Sequence, residues 1–251
     1  MVDPFWLITR YEDVVAISRN PELWSSAERM SLEQSRSAGL PMYSMVDMDP
    51  PEHTKHRKIF QNWLKPKNVR RLEIRLRELA RELIDEMAER EEGDFVEMVA
   101  TLHPLRVICE LLGIPRDGED RVLKIAKSVF GANDPAQATS IEAAVADGIE
   151  FCVELIEERR ARPIEDLASA IANSTIDGEP IGMLEAASHL AVLITAGHDT
   201  TASAVSGGLH ALIENPEELA GEPSWFDASW ISSMKHLPIR CKIMLGLKGR
   251  I

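Results

Sequence analysis

The sequence predicts a mainly α-helical protein, and three observations carry that reading. Apolar residues recur at three- and four-residue steps, as in Val69, Leu72, Leu76, Leu79, Leu83 and Met87. Proline and glycine interrupt the pattern at helical intervals, at Pro66, Gly93, Gly113, Pro115 and Pro163. One stretch, Ile181 to Asn215, is apolar or small on nearly every side, which predicts a long helix through the middle of the protein.

The elements follow in order. Phe5–Arg10 is short, β-branched and aromatic and predicts a small N-terminal strand or hairpin. "YEDVVAISRN" predicts a short helix ended at Asn20-Pro21, and residues 25–52 a loop with room for one helical turn. "HTKHRKIFQNWLKP" predicts a helix stopped at Pro66, and residues 67–91 a long amphipathic one. "DFVEMVATLHPLRVICELLG" predicts a helix bent at Pro104 and closed by Gly113 and Pro115. A shorter helix follows in "DGEDRVLKIAKSVFG", then a long one in residues 139–162 stopped by Pro163. "IEDLASAIANS" and a turn at Asp177-Gly178-Glu179-Pro180 lead into the last helix. After Leu219 the periodicity is lost, so residues 1–219 read as one domain and 220–251 as a tail.

Composition narrows the function. The chain has 251 residues, 45% of them hydrophobic, enough for a core. Lys plus Arg is 28 and Asp plus Glu 41, a net charge of −13, and aromatics are only 5%. Both argue against a nucleic-acid partner. Cys109, Cys152 and Cys241 show no paired spacing, nothing at the N-terminus resembles a signal peptide, and the Leu190–Gly197 apolar run is too short to span a bilayer. The expectation is a cytoplasmic chain with no membrane partner.

Three places could carry chemistry. His53 and Arg57 lie one helical turn apart and could clamp a carboxylate, or they could form a solvated first turn. From His53 to Arg81, ten Lys or Arg face only Glu73 and Glu78, which makes either a docking patch for an acidic partner or a solvated helix face. In "LITAGHDTTAS", Asp199 and Thr200 could hand a proton to a bound species. Alternatively Gly197 ends one helix and Asp199 caps the next, or Thr200 bonds back to Ala196 within one helix. His189, His198 and His210 lack the spacing of helical zinc ligands, so no metal set is expected among side chains.

"MDPPEHTKHRKIF", "FVEMVATLHPLRVICELLGIP" and "AGHDTT" with its long helix, in this order, resemble the bacterial cytochrome P-450 family of heme-thiolate monooxygenases from about Phe5 to Leu219. The resemblance implies that fold, heme as cofactor, and insertion of one oxygen atom into an apolar substrate such as a terpenoid, steroid or fatty acid. His53 and Arg57 match the residues that bind a heme propionate, and Asp199 and Thr200 the acid–alcohol pair that delivers protons. Ala196 and Gly197 match the small residues beside the oxygen groove. Met42, Tyr43 and Met45, with Val192 and Thr195, would border the substrate. A ferredoxin-type electron donor would dock near Lys55 to Lys67. The family's Glu-x-x-Arg helix and cysteine loop, whose thiolate holds the iron, have no match here: around Cys241, Met234, Leu237 and Ile243 stand where Phe, Gly and Gly belong. The chain thus resembles a truncated member whose tail could be frameshifted. A non-catalytic fragment and a helical interaction protein are the alternatives.

Overall fold

In the computed structural model, the described residues are 5–27, 45–61, 63–90, 93–130, 141–215, 224–225 and 234–236. Helices dominate: α1 (Tyr11–Ser18), α2 (Glu52–Gln61), α3 (Pro66–Ala88), α4 (Leu102–Leu111), α5 (Glu119–Phe130), α6 (Ile141–Ala161), α7 (Leu167–Ala172) and α8 (Met183–Glu214). Two short antiparallel pairs accompany them, β1 (Thr175–Ile176) with β2 (Glu179–Pro180), and β3 (Ser224–Trp225) with β4 (Met234–His236). The chain divides into two compact units, Met1–Trp63 with Ile108–Ala196, and Leu64–Val107 with Gly197–Ile251.

The first unit is built on α5, α6, α7 and the N-terminal half of α8. Its core contains Phe60, Val122, Ile156, Ile171, Leu190 and Ile194, all fully buried. Gly148 lets α6 approach α5 closely, since a Cβ there would stand 3.3 Å from Ile125. The carboxyl end of α4 closes with Gly113 in the left-handed region (φ +63). The Ile114 amide donates to the Cys109 carbonyl (2.8 Å) and the Gly113 amide to that of Glu110 (3.3 Å), the paired bonds of a Schellman motif. The Gly113 carbonyl accepts from Arg159 Nη2 at 2.8 Å, and Arg159 Nε donates to Asp166 Oδ2 at 2.6 Å. The other oxygen of Asp166 caps α7, accepting the Ser169 amide at 2.6 Å. Arg159 and Asp166 are both buried, so each supplies the charge that makes the other's burial tolerable.

In the second unit, α3 packs on the Val96–Ala100 segment, with Leu79, Leu83, Ala100 and Leu105 buried. The apolar stripe of α3 is the one the periodicity marks, and its charged residues pair along the surface, as in Arg77 with Glu73 at 2.7 Å.

Three expectations need correction. Phe5–Arg10 forms no strand: its side chains are exposed and no described segment pairs with it, and β propensity without a partner edge does not make a strand. The small sheet lies instead at β1–β2, a hairpin whose Asp177 and Gly178 both have positive φ, +54 and +89. Pro66 does not stop α2, which ends at Gln61; it opens α3, where a missing N–H costs nothing. The 95–111 segment is not one α-helix bent at Pro104. Pro104 cannot bond the Ala100 carbonyl, and the chain resets upstream in a π turn, Val96–Ala100, with the Thr101 amide reaching the Val96 carbonyl at 2.8 Å.

Candidate functional site

Two stretches carry the sequence-predicted residues, one in each unit. In the first unit, α2 begins where the His53 amide bonds the Asp49 carbonyl at 3.0 Å. The Asp49 side chain accepts from the Ser25 hydroxyl (2.5 Å) and the Ser26 amide (2.8 Å), which ties the segment after α1 to the start of α2. These bonds, the Ser25 hydroxyl first, hold the Asp49 carboxyl below the usual carboxylate range. His53 and Arg57 then stand half-buried on successive turns. Imidazole and guanidinium at this spacing present donors to one carboxylate.

The neighbouring stripe of α2 points into the core and holds a feature that the sequence did not reveal. His56 Nδ1 lies 2.8 Å from His189 Nε2 on α8, and Glu185 Oε1 lies 3.9 Å from His56 Nε2. Phe60 meets the His189 ring edge-on at 5.5 Å. His189 is 0% exposed and His56 3%. Burial, and then the charge of His56, pull His189 down to about 4. The only signal in the sequence is a histidine sharing a helical face with Phe60, which ordinary core packing also produces.

On α8, Val192 and Thr195 are buried, and the Thr195 hydroxyl donates back to the carbonyls of Ala191 (3.0 Å) and Val192 (3.2 Å). Ala196 is exposed. Of the loop residues before α2, Met45 is half-buried in a short 3-10 turn, Met45–Asp47; Met42 and Tyr43 lie outside the described residues. Burial raises the Asp47 carboxyl in that turn.

In the second unit, Gly197, Asp199 and Thr200 continue the same helix without a break, so Gly197 is not a terminator and Asp199 is not a cap. Asp199 Oδ1 is 2.6 Å from His198 Nδ1, and His198 Nε2 is 3.1 Å from the Thr101 carbonyl. The carboxylate is therefore engaged by its neighbour, and the half-buried Asp199 stands beside an exposed Thr200.

The basic stretch is partly neutralised at its start, where Lys55 meets Glu52 (2.8 Å) and Asp177 (2.7 Å). A cavity of about 370 Å³ opens there between α2, α7 and the β1–β2 hairpin, lined by Lys58, Ile59, Trp63 and Ser174 among others. Lys55 and Lys58 of the predicted docking stretch line it, but none of the residues predicted to meet heme, protons or substrate does. Among the described residues no group of three or more His, Cys, Asp or Glu is arranged for a metal, and no helix is long and apolar enough to cross a membrane. Cys109 and Cys152 are buried thiols, each pushed up to about 12 chiefly by desolvation.

Comparison with known proteins supplies the context. No family model matches the chain. It is 32% identical over 243 residues to cytochrome P450-terp of a Pseudomonas species, covering 87% of this chain and 57% of that protein. It is 31% identical to the steroid C26-monooxygenase of Mycolicibacterium smegmatis, over 85% of this chain and 52% of that protein. Its structure superposes on Mycobacterium marinum cytochrome P450 CYP268A2, solved with pseudoionone, at a TM-score of 0.79 and 32% identity, over 85% and 54% of the two chains. CYP108D1 of Novosphingobium aromaticivorans is 38% identical with a TM-score of 0.60, over 70% and 42%. The helical architecture is that of a cytochrome P450. The chain belongs to the bacterial cytochrome P450 family, and it spans about half the length of the relatives it matches.

Proposed function

We propose that this chain carries the cofactor-anchoring and proton-handling part of a bacterial cytochrome P450 monooxygenase. The continuity of α8 through Gly197, Asp199 and Thr200 supports this reading most, because it removes the capping role that would otherwise explain an acid and a hydroxyl at mid-helix. Heme, when bound, supplies the oxygen chemistry that the fold by itself cannot. In this reading His53 and Arg57 donate to a heme carboxylate. Ala196 and Gly197 keep side-chain bulk away from the reacting side. Asp199 holds a proton that Thr200 passes on. Met42, Tyr43, Met45, Val192 and Thr195 border an apolar substrate.

The donor set on α2 fits the carboxylates of the cofactor. The described cysteines do not fit its iron, because both are buried and protonated. Cys241 lies outside the described residues. That mismatch favours a second reading, a non-catalytic fragment that retains the anchoring surface. Residues 1–219 form the family domain in either case and 220–251 a tail outside it; a downstream reading frame encoding Glu-x-x-Arg and a cysteine loop would mark the tail as frameshifted.

The substrate class follows from relatives named for steroid and methyl-branched lipid oxidation and from the pseudoionone complex: an apolar terpenoid, steroid or fatty acid. The electron donor is a ferredoxin-type protein meeting the basic stretch around Lys55 to Lys67. One spectrum tests the function. The chain, purified with hemin, reduced and exposed to carbon monoxide, gives a Soret band at the thiolate position if the first reading holds. A band at another position supports the fragment, and no band at any hemin concentration rejects both.

A further inference from the structure

The Glu185–His56–His189 cluster lies in the first unit, on the stripe of α2 beside His53 and Arg57, and the chemistry above does not use it. Its geometry favours one placement of the protons on two neutral rings. Glu185 Oε1 lies 3.9 Å from His56 Nε2, too long for a hydrogen bond but close enough for its charge to favour a proton on that nitrogen. His56 Nδ1 is then a bare acceptor, and the 2.8 Å bond must be donated by His189 Nε2–H. His189 Nδ1 in turn carries no hydrogen, and this is the buried nitrogen that has no hydrogen-bond partner among the described residues. An unmet acceptor is the favoured arrangement, because buried N–H groups are left without a partner less often than buried acceptors. The carboxylate at one end and the unpartnered nitrogen at the other thus select the same tautomer independently.

We propose that His56 and His189 are positioning residues for the carboxylate clamp: their single-tautomer hydrogen bond, oriented by Glu185, fixes the roll of α2 on α8 and so aims His53 and Arg57 together. His56 is sequentially enclosed by the two clamp residues, and Phe60, one turn on, seats its ring edge against His189. A rotation of α2 that moved the clamp would have to break the bond and unseat Phe60 together. The role of the clamp itself rests on the function proposed above.

The test separates the two. Nitrogen-15 NMR of the hemin-free chain should show both His56 and His189 protonated at Nε2 only; the opposite tautomer on either ring overturns the proposal. His56→Asn keeps an acceptor at the Nδ1 position and His189→Gln keeps a donor at the Nε2 position. These variants should bind hemin within about threefold of the parent, whereas His56→Leu and His189→Leu should lose about tenfold, the effect of leaving one buried polar partner unmet. Equal losses in the Asn and Leu variants at residue 56 would show that bulk, not the hydrogen bond, sets the clamp, and would overturn the proposal. Arg57→Ala with unchanged hemin affinity would reject the clamp instead. The tautomers, and amide exchange along α2 in the conservative and Leu variants, still decide the positioning claim in that case. Circular dichroism of each variant identifies any that fails to fold, and the parent tautomers then carry the decision.

Discussion

α8 is one helix in two environments. Between Ala186 and Thr195 nearly every side chain is buried, and Leu190 and Ile194 are wholly so. Beyond Thr200 most are exposed, including Val205 and Ile213. Its two histidines differ in the same way. His189 faces another imidazole in the core of the first unit, whereas His198 faces a carboxylate and a carbonyl in the second. Tertiary packing holds the first half, while the second depends more on the intrinsic helix preference of residues such as Ala204, Ala211 and Leu212. A sequence that is apolar or small on nearly every side therefore specifies a helix without specifying that all of it is buried, and the expectation that Ile181 to Asn215 runs through the middle of the protein holds only for its first half.

Substitutions can break this contrast. The largest effect is expected at Leu190→Ala, which should cost about 2–5 kcal/mol in urea unfolding, against about 0.5 kcal/mol for Val205→Ala. Equal losses at the two sites would erase the distinction. Next comes acid. His189 binds its proton less readily folded than unfolded, so its stabilising contribution is complete above the ordinary histidine value near 6.5 and is lost as pH falls through about 4. The span corresponds to roughly 3 kcal/mol at most, and His189→Gln should flatten that part of a stability–pH profile. Asp199→Asn takes the carboxylate from His198 and should cost about 1 kcal/mol, with a change in the His198 Nδ1 resonance. Smallest, and of opposite sign, is Gly207→Ala. A Cβ there meets nothing within 4 Å, so thermal stability should rise by up to about 1 kcal/mol. A loss at Gly207 would mean that the exposed half of α8 is covered in solution.

Much of the helical plan was legible in the sequence, because it rests on period and punctuation. The Leu79–Leu83 stripe of α3, the stop at Pro163 and the length of α8 all follow from local rules. What escaped depends on partners distant in the chain. Phe5–Arg10 has strand-like residues and no edge to join. The β1–β2 strands are two residues long, too short to show a period, although their Asp177-Gly178 turn was visible. The site divides likewise. His53 and Arg57 could be found because they lie one turn apart. The His56–His189 contact spans 133 positions, and no local pattern encodes it.

The node of Gly113, Arg159 and Asp166 has a consequence for how the first unit assembles. It draws together the end of α4, the end of α6 and the cap of α7, and its longest hydrogen bond, Arg159 to the Gly113 carbonyl, spans 46 residues. Without Asp166, Arg159 keeps only the exposed Glu158 (2.9 Å) as a carboxylate partner, and the α7 cap is held by the same Asp166 side chain. The docking of α6 and α7 is therefore coupled through one carboxylate, and the Gly113 carbonyl adds the end of α4 to the pair. A nick in the Arg162–Glu165 connection should release α7 and open the Arg159–Asp166 pair together, so that proteolysis there registers as a single cooperative loss rather than local fraying.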